Sequence, residues 1–188
     1  VIARVGPCRL HSAAPRQRFE ALCLSIASQQ LSTKAAATIF GRFCDLFPDR
    51  TPTPGHVMTA TDDRIRAAGI SNPKISFIRD LAQRVHDGRL DLDSLKALPD
   101  DEVMTQLVAV KGIGPWTAEI FLMFRLGRLD ILPADDLGLM TAVQRLYGLR
   151  KRPDAKRLRA IGQAWRPYRS IASWYLWQSL SLEAPARH

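Results

Sequence analysis

Two glycines separated by one residue stand between two apolar segments of this sequence. Gly112-Ile113-Gly114 follows the apolar run that ends at Val110, and a second apolar run begins after Pro115. Such a glycine pair lets the backbone turn tightly with positive φ angles. The turn leaves backbone N–H groups unpaired at the start of the second helix, where anions bind. The segment therefore indicates a phosphate site, although a plain connection between two helices would have the same short pattern.

Two adjacent acidic residues, Asp135 and Asp136, follow Pro133-Ala134. An aspartate just before an apolar helical stretch is typical of a helix N-cap, where its charge also interacts favourably with the helix dipole. Taken alone, the pair favours the capping role.

The cysteines and histidines exclude several kinds of site. Cys8, Cys23 and Cys44 are widely spaced and form no Cys-x-x-Cys pair, and the four histidines lack the spacing of metal ligands. This pattern argues against a disulfide scaffold, a zinc site and an iron–sulfur cluster. The apolar stretch Ser170–Leu182 is too short to span a bilayer and the first residues do not resemble a secretory signal, so we expect no membrane partner.

The charge of the chain predicts a polyanionic partner. Its 188 residues include 27 Lys and Arg against 18 Asp and Glu, which gives a net charge of +9. Most of the excess lies from Lys111 onwards. Such a balance predicts attraction to nucleic acid but says nothing about fold. The basic run Arg150-Lys151-Arg152 fits DNA contact and a solvated helix face equally well.

Helical periodicity dominates the sequence and strand alternation is nearly absent, so we expect an all-α fold of about ten helices. Apolar spacing predicts a helix around Phe19–Ala27, and Ser32 is the expected N-cap of the next helix. The cluster of prolines and glycine over 48–55 predicts a loop. Further helices are expected at 62–68, 72–88, 100–110, 116–126 and 135–147, and after Pro153 and Pro167.

The combination of these segments resembles a known family. Leu107–Leu126, which contains the two glycines, resembles the helix-hairpin-helix of DNA repair glycosylases, and Ile131–Asp136 is similar to the Pro/Asp element of that superfamily. Three further segments resemble its 3-methyladenine DNA glycosylase II (alkylbase glycosylase) branch: Leu22–Ala36, Ile70–Ala82 and Trp165–Trp177. The likeness extends from about residue 16 to residue 180.

This resemblance implies a two-lobed helix-hairpin-helix DNA glycosylase fold, in a compact form without the N-terminal β domain that some members carry. We expect residues 1–188 to form a single glycosylase unit and to be a monomer. One lobe would comprise about 31–128, including the hairpin at 107–126. The other lobe would comprise about 1–30 together with 129–188.

The resemblance also implies the reaction. Enzymes of this branch flip a damaged base out of double-stranded DNA and hydrolyse its N-glycosidic bond, leaving an abasic site in base excision repair. Their catalytic aspartate corresponds to Asp136, whose charge would stabilise an oxocarbenium-like transition state. The role of Asp135 stays open. Bifunctional relatives carry a Schiff-base lysine where this chain has Trp116, so we expect no lyase activity.

The substrates implied by the resemblance are alkylated purines such as 3-methyladenine and 7-methylguanine. These bases are cationic and stack on aromatic faces, and Trp116 and Trp177 match aromatic positions of the family's base pocket. Leu137 and Ile120 stand where the family often has tyrosine, which leaves the range of lesions open. Because no residue is an obvious general acid for a neutral base, we expect cationic lesions to be preferred.

DNA contacts follow from the same resemblance. Gln30, with Leu31 as the next candidate, corresponds to the wedge that fills the gap left by a flipped nucleotide. Ser32 and Lys34 are expected to hold the DNA backbone beside it. The remaining phosphate contacts are expected at the hairpin, and their residues are Lys111, Gly112, Gly114 and Thr117.

We expect no required cofactor. Family hairpins also bind a monovalent cation, Na⁺ or K⁺, through backbone carbonyls, which here would be those of Val108, Val110 and Ile113. The cysteine pattern and the implied role in repair predict the cytoplasm and nucleoid of a bacterium or the nucleus of a eukaryote. Two alternatives remain: the same fold with another lesion specificity, and a DNA-damage-binding module without catalysis.

Overall fold

A computed structural model of the chain describes residues 1–10 and 16–182. All regular structure in these residues is helical, which confirms the all-α prediction. No helix among them is long and apolar enough to cross a bilayer. Their eleven α-helices are α1 (Ile2–Val5), α2 (Arg16–Ser28), α3 (Thr33–Cys44), α4 (Pro54–Thr59), α5 (Asp62–Ala67), α6 (Asn72–His86), α7 (Asp100–Val108), α8 (Pro115–Phe124), α9 (Leu137–Leu146), α10 (Ala155–Ile161) and α11 (Arg169–Leu182).

The chain divides into two compact units, and the boundary falls inside α8, after Ala118. The α6 unit runs from α2 to Ala118, and the α9 unit joins α1 to the segment from Glu119 to α11. The sequence-based division instead groups residues 1–30 with the C-terminal helices. In the structure α2 packs on α3 and α6, and its side chains Leu22 and Ile26 are fully buried.

Helix α6 is the centre of its unit and packs against α2, α4 and α5. The side chains of Ile78 and Leu81, on one face of this helix, are fully buried. Arg79, on another face, donates to the carbonyl oxygens of Val57 (2.6 Å) and Met58 (3.0 Å). These carbonyls lie in the last turn of α4, where they have no acceptor role inside the helix. The guanidinium therefore fixes the end of α4 against α6.

The segment over 48–55 differs from the prediction of a loop, because α4 begins at Pro54. Thr53 caps this helix, since its Oγ1 accepts a hydrogen bond from the His56 N–H at 3.2 Å. Proline in a first helical turn loses no hydrogen bond, because the N–H groups of that turn have no partner within the helix. The prolines therefore mark a helix start as well as a break.

The core of the α9 unit is formed by α9, α10 and α11. Its fully buried side chains include Leu139, Val143 and Leu158, and Leu176 of α11 packs on them. Asp136 and Asp154 are the N-caps of α9 and α10, so both helices begin after these aspartates rather than at them.

The segment immediately before α9 is held against α11 by hydrogen bonds. The Arg169 Nε donates to Asp130 Oδ1 at 2.6 Å, and the backbone N–H of Ile131 donates to Ser170 Oγ at 2.9 Å. Ser170 is fully buried and its own N–H donates to the Leu129 carbonyl at 2.9 Å. These bonds fix the chain shortly before it reaches Asp136.

Two buried thiols lie in the α6 unit. Cys23 of α2 and Cys44 of α3 are both free. Burial raises the pKa of Cys23 well above its ordinary value, and burial together with Glu20 raises the pKa of Cys44 to about 11. Both side chains therefore stay protonated at neutral pH.

Candidate functional site

The turn between α2 and α3 carries three of the predicted DNA-binding residues at the surface. Gln30 is exposed and has a φ of 59°, in the left-handed region that residues other than glycine seldom occupy. Leu31 exposes 37% of its surface. Ser32 is the N-cap of α3, as predicted, because its Oγ accepts a hydrogen bond from the Ala35 N–H at 3.3 Å. Lys34 is exposed in the first turn of α3.

The neighbouring Gln29 does not point outwards in the same way. Its Nε2 donates to the carbonyl oxygen of Gly112 at 2.7 Å. The α2–α3 turn and the α7–α8 turn (109–114) are therefore joined by a direct hydrogen bond, which nothing in the sequence pattern indicates because 83 residues separate its partners.

The α7–α8 turn contains the two glycines, and the structure gives them different roles. Gly112 has a φ of 79°, and a Cβ added there would lie 2.2 Å from Cδ2 of Phe77. Gly114 is outside the positive-φ region and has open space around it. The expectation of positive φ at both glycines is therefore wrong for Gly114. Only Gly112 is required by the turn itself, whereas Gly114 leaves the start of α8 accessible.

The predicted phosphate contacts around this turn differ in exposure. The side chain of Lys111 is exposed, while its backbone N–H donates to Asp80 Oδ2 at 2.9 Å. Thr117 exposes only 8% of its surface. It stands in the first turn of α8, so its backbone N–H is one of those without a helical partner.

Backbone carbonyls for a monovalent cation are available where α7 ends. The helix stops at Val108, and carbonyls of a last helical turn lack an acceptor role inside the helix. Val110 accepts a hydrogen bond from the Ile113 N–H at 3.1 Å, and a carbonyl oxygen has a second lone pair. These groups fit an oxygen-liganded ion. In the described residues, no cluster of three or more His, Cys, Asp and Glu side chains could hold a metal.

Asp136, in the α9 unit, has its carboxylate fixed by two donors. Its Oδ1 accepts a hydrogen bond from the Leu139 N–H at 2.6 Å and from Trp177 Nε1 at 2.9 Å. A Cβ added at Gly138 would lie 3.1 Å from the same oxygen, so glycine leaves room for the carboxylate. Asp136 is thus an N-cap whose second partner is an aromatic side chain.

Asp135 is turned to a different partner. Its carboxylate is exposed and lies 3.1 Å from Nη2 of Arg159. Exposed ion pairs contribute little to stability. The two adjacent aspartates therefore have separate environments, and Asp136 is the one that α9 and Trp177 hold.

The candidate pocket residues are distributed over three helices. Trp177 of α11 lies at a centroid distance of 6.1 Å from Phe124, with the two rings stacked. Trp116, in the first turn of α8, exposes 46% of its surface, and Ile120 lies one turn further on, half-buried. Leu137, directly after the carboxylate, exposes 62% of its surface.

A titratable group that the sequence analysis missed lies near Asp135. Glu119 of α8 is half-buried. Burial, with a further contribution from Asp135, raises its pKa to about 7 against the opposing effect of Arg159. An acidic residue inside the otherwise apolar run 118–124 is the sequence signal that could have singled it out.

A model of the HhH-GPD superfamily of base excision DNA repair proteins matches residues 23–167 of this chain. The chain belongs to this superfamily. The α7–α8 turn with its two flanking helices lies within the matched region, and so does Asp136.

Curated relatives within the superfamily cover most of the chain. It is 33% identical over 181 residues to the alkylbase DNA glycosidase-like protein mag2 of Schizosaccharomyces pombe, an alignment that spans 95% of this chain and 85% of that protein. It is 34% identical over 169 residues to DNA-3-methyladenine glycosylase 1 of the same yeast, spanning 89% of this chain and 74% of that protein.

Solved HhH-GPD structures agree with the fold. The 3-methyladenine DNA glycosylase Mag1 of Schizosaccharomyces pombe, in complex with abasic DNA, superposes with a TM-score of 0.86 at 32% identity, covering 97% of this chain and 90% of that chain. A DNA-3-methyladenine glycosidase of Bacillus halodurans superposes with a TM-score of 0.85 at 39% identity, covering 97% of this chain and 84% of that one.

The two hairpin glycines should respond differently to alanine. In Gly112→Ala the added Cβ would clash with the Phe77 ring, and alanine would have to adopt a left-handed conformation. We therefore expect the free energy of unfolding to fall by about 2–4 kcal/mol. Gly114→Ala is the matched control in the same turn, and its stability should stay within about 1 kcal/mol of wild type. Urea unfolding measures both. Equal losses in the two variants would contradict this assignment.

Glu119 should make stability depend on pH. Its pKa is about 7 in the folded protein against an ordinary 4.5, so between these values the folded state holds a proton that the unfolded chain has released. Stability from this group therefore falls as the pH rises from 4.5 to 7 and is constant above.

Glu119→Gln removes this dependence, because glutamine is neutral in both states. We expect wild type and variant to have similar melting temperatures at pH 5, and wild type to fall progressively below the variant up to pH 8. Melting curves across this range test the prediction. Parallel pH profiles for the two proteins would show that the carboxyl group titrates alike in both states.

Proposed function

We propose that this chain is a monofunctional DNA glycosylase that flips alkylated purines out of double-stranded DNA and hydrolyses their N-glycosidic bond, leaving an abasic site. The observation that carries this proposal is the Asp136 carboxylate, held by the first turn of α9 and by Trp177 in a chain of the HhH-GPD superfamily. The names of the relatives, 3-methyladenine glycosylases among them, support the same class of substrate.

The reaction needs little more than a fixed negative charge. The bond from C1′ to the base nitrogen breaks, and its electron pair goes to the base. An alkylated purine is already cationic, so this pair neutralises it and the base leaves without being protonated. The sugar becomes oxocarbenium-like, and the Asp136 carboxylate stabilises that charge. Water then adds to C1′ and loses a proton.

Strand cleavage is not part of the proposed reaction. A lyase step requires an amine that forms a Schiff base with the sugar. The corresponding position of the hairpin holds Trp116, and its indole cannot serve as that amine. The product is therefore an intact strand with an abasic site.

The residues proposed to contact the base are Trp177, Leu137 and Ile120 of the α9 unit and Trp116 of the α6 unit. Trp116, at the start of α8, exposes 46% of its surface, so part of this residue is accessible to a base. A cationic purine gains a cation–π contribution on such a ring, about 0.5–2 kcal/mol. The aliphatic Leu137 and Ile120 add apolar surface without hydrogen bonds, which favours recognition by charge and shape over recognition by polar groups.

The contacts to the DNA backbone and to the gap left by the flipped nucleotide are assigned to the α6 unit. Gln30 fills the gap in the base stack, with Leu31 beside it, because both are exposed at the tip of the α2–α3 turn. Phosphates bind at the start of α8 and beside α3. The groups proposed for them are the backbone N–H groups of Gly112, Gly114 and Thr117 and the side chains of Ser32, Lys34 and Lys111.

A monovalent cation, Na⁺ or K⁺, is proposed to bind the carbonyls of Val108, Val110 and Ile113. Such an ion would add positive charge at the hairpin where a phosphate approaches. The reaction itself uses no cofactor. The proposed partner is damaged double-stranded DNA bound by a monomer, in the nucleoid of a bacterium or the nucleus of a eukaryote.

Asp136→Asn tests the assignment of the carboxylate. Asparagine caps helices as well as aspartate does, so the variant loses the charge and keeps the fold. We expect base release to fall at least about 100-fold, with duplex binding changed only a few-fold. The assay measures 3-methyladenine and 7-methylguanine released from methylated duplex DNA, without metal or cofactor, and checks that the product strand is uncut.

Asp135→Asn is the matched control, because it removes the neighbouring exposed carboxylate and should change release only a few-fold. Undiminished release by Asp136→Asn would remove this residue from the mechanism. If wild type binds duplex DNA but releases neither base, the chain has another lesion specificity or is a damage-binding module.

Trp177→Phe tests the second donor to the carboxylate. Phenylalanine keeps an aromatic ring beside Phe124 and lacks the indole N–H, so the carboxylate loses the hydrogen bond from this side chain. We expect the single-turnover rate to fall about 10- to 100-fold, as for loss of a hydrogen bond to a charged group. Trp165→Phe, which removes an indole N–H that donates to the Tyr147 hydroxyl at 3.0 Å, is the control. Similar rates for both variants would exclude this role for Trp177.

A further inference from the structure

The conformation of Gln30 needs a structural cause. It is exposed, it lies two residues after the end of α2, and its φ of 59° is one that a side chain with a Cβ disfavours. Residues persist in this conformation only when surrounding contacts hold the backbone there. The contacts made by the residues next to Gln30 therefore determine whether it keeps this conformation at the tip of the turn.

Lys74 of α6 makes the contacts that hold the backbone on the N-terminal side of Gln30. Its Nζ donates to the carbonyl oxygen of Ala27 at 2.8 Å and to that of Gln29 at 2.7 Å. Both carbonyls lie at the C-terminal end of α2, where a positive charge is favoured by the helix dipole. The ammonium thus clamps the residue immediately before Gln30. Burial lowers the pKa of Lys74, as expected for an ammonium withdrawn from water.

The same face of α6 holds the α7–α8 turn. Phe77 lies against Gly112, and Asp80 Oδ2 accepts the hydrogen bond from the Lys111 N–H. Asp80 is itself fixed by Arg84 Nε at 2.9 Å. Residues 74, 77 and 80 are three apart, so their side chains lie along one stripe of the helix. Gln29 completes the connection by its bond to Gly112.

We propose that Lys74 is a positioning residue that holds Gln30 in its left-handed conformation at a fixed place relative to the phosphate-binding hairpin. Gln29 transmits this placement between the two turns. The proposal rests on the proposed function, since it assumes that Gln30 enters the base stack. The Lys74 ammonium donates to two backbone carbonyls, and the role proposed for it is neither catalytic nor that of a phosphate ligand.

Holding Gln30 in place before the DNA arrives improves binding. A side chain that is already in place does not have to be ordered when the DNA arrives, and pre-ordering improves affinity for the shape that fits. A duplex with a missing base has a gap that the wedge fills, whereas an intact duplex has none. Lys74 should therefore contribute to the preference for the gapped duplex more than to DNA binding in general.

The experiment measures the ratio of affinities for a duplex with one abasic-site analogue and for the intact duplex of the same sequence. Lys74→Met keeps the length of the side chain and removes the donors. We expect it to lower this ratio about tenfold, equivalent to about 1.4 kcal/mol. In a Gln30→Ala background, where the wedge is already gone, the same substitution should change the ratio less than about twofold.

Two lysine variants serve as controls. Lys74→Arg keeps a charged donor and should restore most of the ratio. Lys156→Met removes the same charge from an exposed position of α10 and should change the affinities for both duplexes alike, leaving the ratio unchanged. An equal effect of Lys74→Met in both backgrounds would mean that Lys74 is structural only, and it would overturn the proposal. So would an unchanged ratio, or a Gln30→Ala variant with the wild-type ratio.

Gln29→Ala replaces Lys74→Met if the latter does not fold. It removes only the bond to Gly112, and it should lower the ratio in the wild-type background and have little effect beside Gln30→Ala; an unchanged ratio again overturns the proposal. Because the ratio reports binding, it is independent of turnover. A wild type that shows this pattern but releases no base would contradict the proposed reaction and leave the role of Lys74 standing.

Discussion

The N–H groups of the first turn of an α-helix and the C=O groups of its last turn find no partner inside the helix. In this protein the residues proposed for DNA binding and catalysis lie at such helix ends. The start of α8 presents N–H groups beside Gly114, the end of α7 presents carbonyls near Val108, and the start of α9 holds Asp136. Within a helix the other backbone groups are bonded to one another, so the ends of a helix are where its polar backbone groups can meet a charged ligand.

At the start of α9, Asp136 combines helix capping with the catalytic role proposed for its carboxylate. The hydrogen bond that caps α9 also sets the direction of the carboxylate, and Trp177 Nε1 constrains the same oxygen from α11. Capping therefore does not compete with the proposed catalytic role, because it fixes the group that the proposed reaction requires. A carboxylate held in this way needs no reorganisation when positive charge develops on the sugar, which is the condition for strong electrostatic stabilisation.

The sequence is informative where the cause of a feature is local. The Ser32 cap, the left-handed Gly112 and the aspartate before α9 all depend on residues within one turn of the chain, and the structure contains each of them. The start of α4 at Pro54 was missed because proline marks helix starts and helix breaks alike.

Features that depend on distant residues could not be predicted. The partners of Lys74 lie 45 and 47 residues away, and that of Gln29 lies 83 residues away. The pKa of Glu119 depends on burial, which no local pattern of charges reveals. The packing of α2 against α3 and α6, instead of against the C-terminal helices, likewise depends on the packed core. The apolar face of α2 would suit either set of helices.

The buried thiols have a consequence for a protein whose relatives are named for alkylated bases. Small electrophiles that methylate purines also methylate sulfur, and the reactive species is the thiolate. Cys23 and Cys44 are kept as neutral thiols by burial and lie beneath the surface of the α6 unit. They are therefore poor nucleophiles toward such reagents. Burial therefore protects the thiols of the core from the alkylating agents whose damage to DNA has to be repaired.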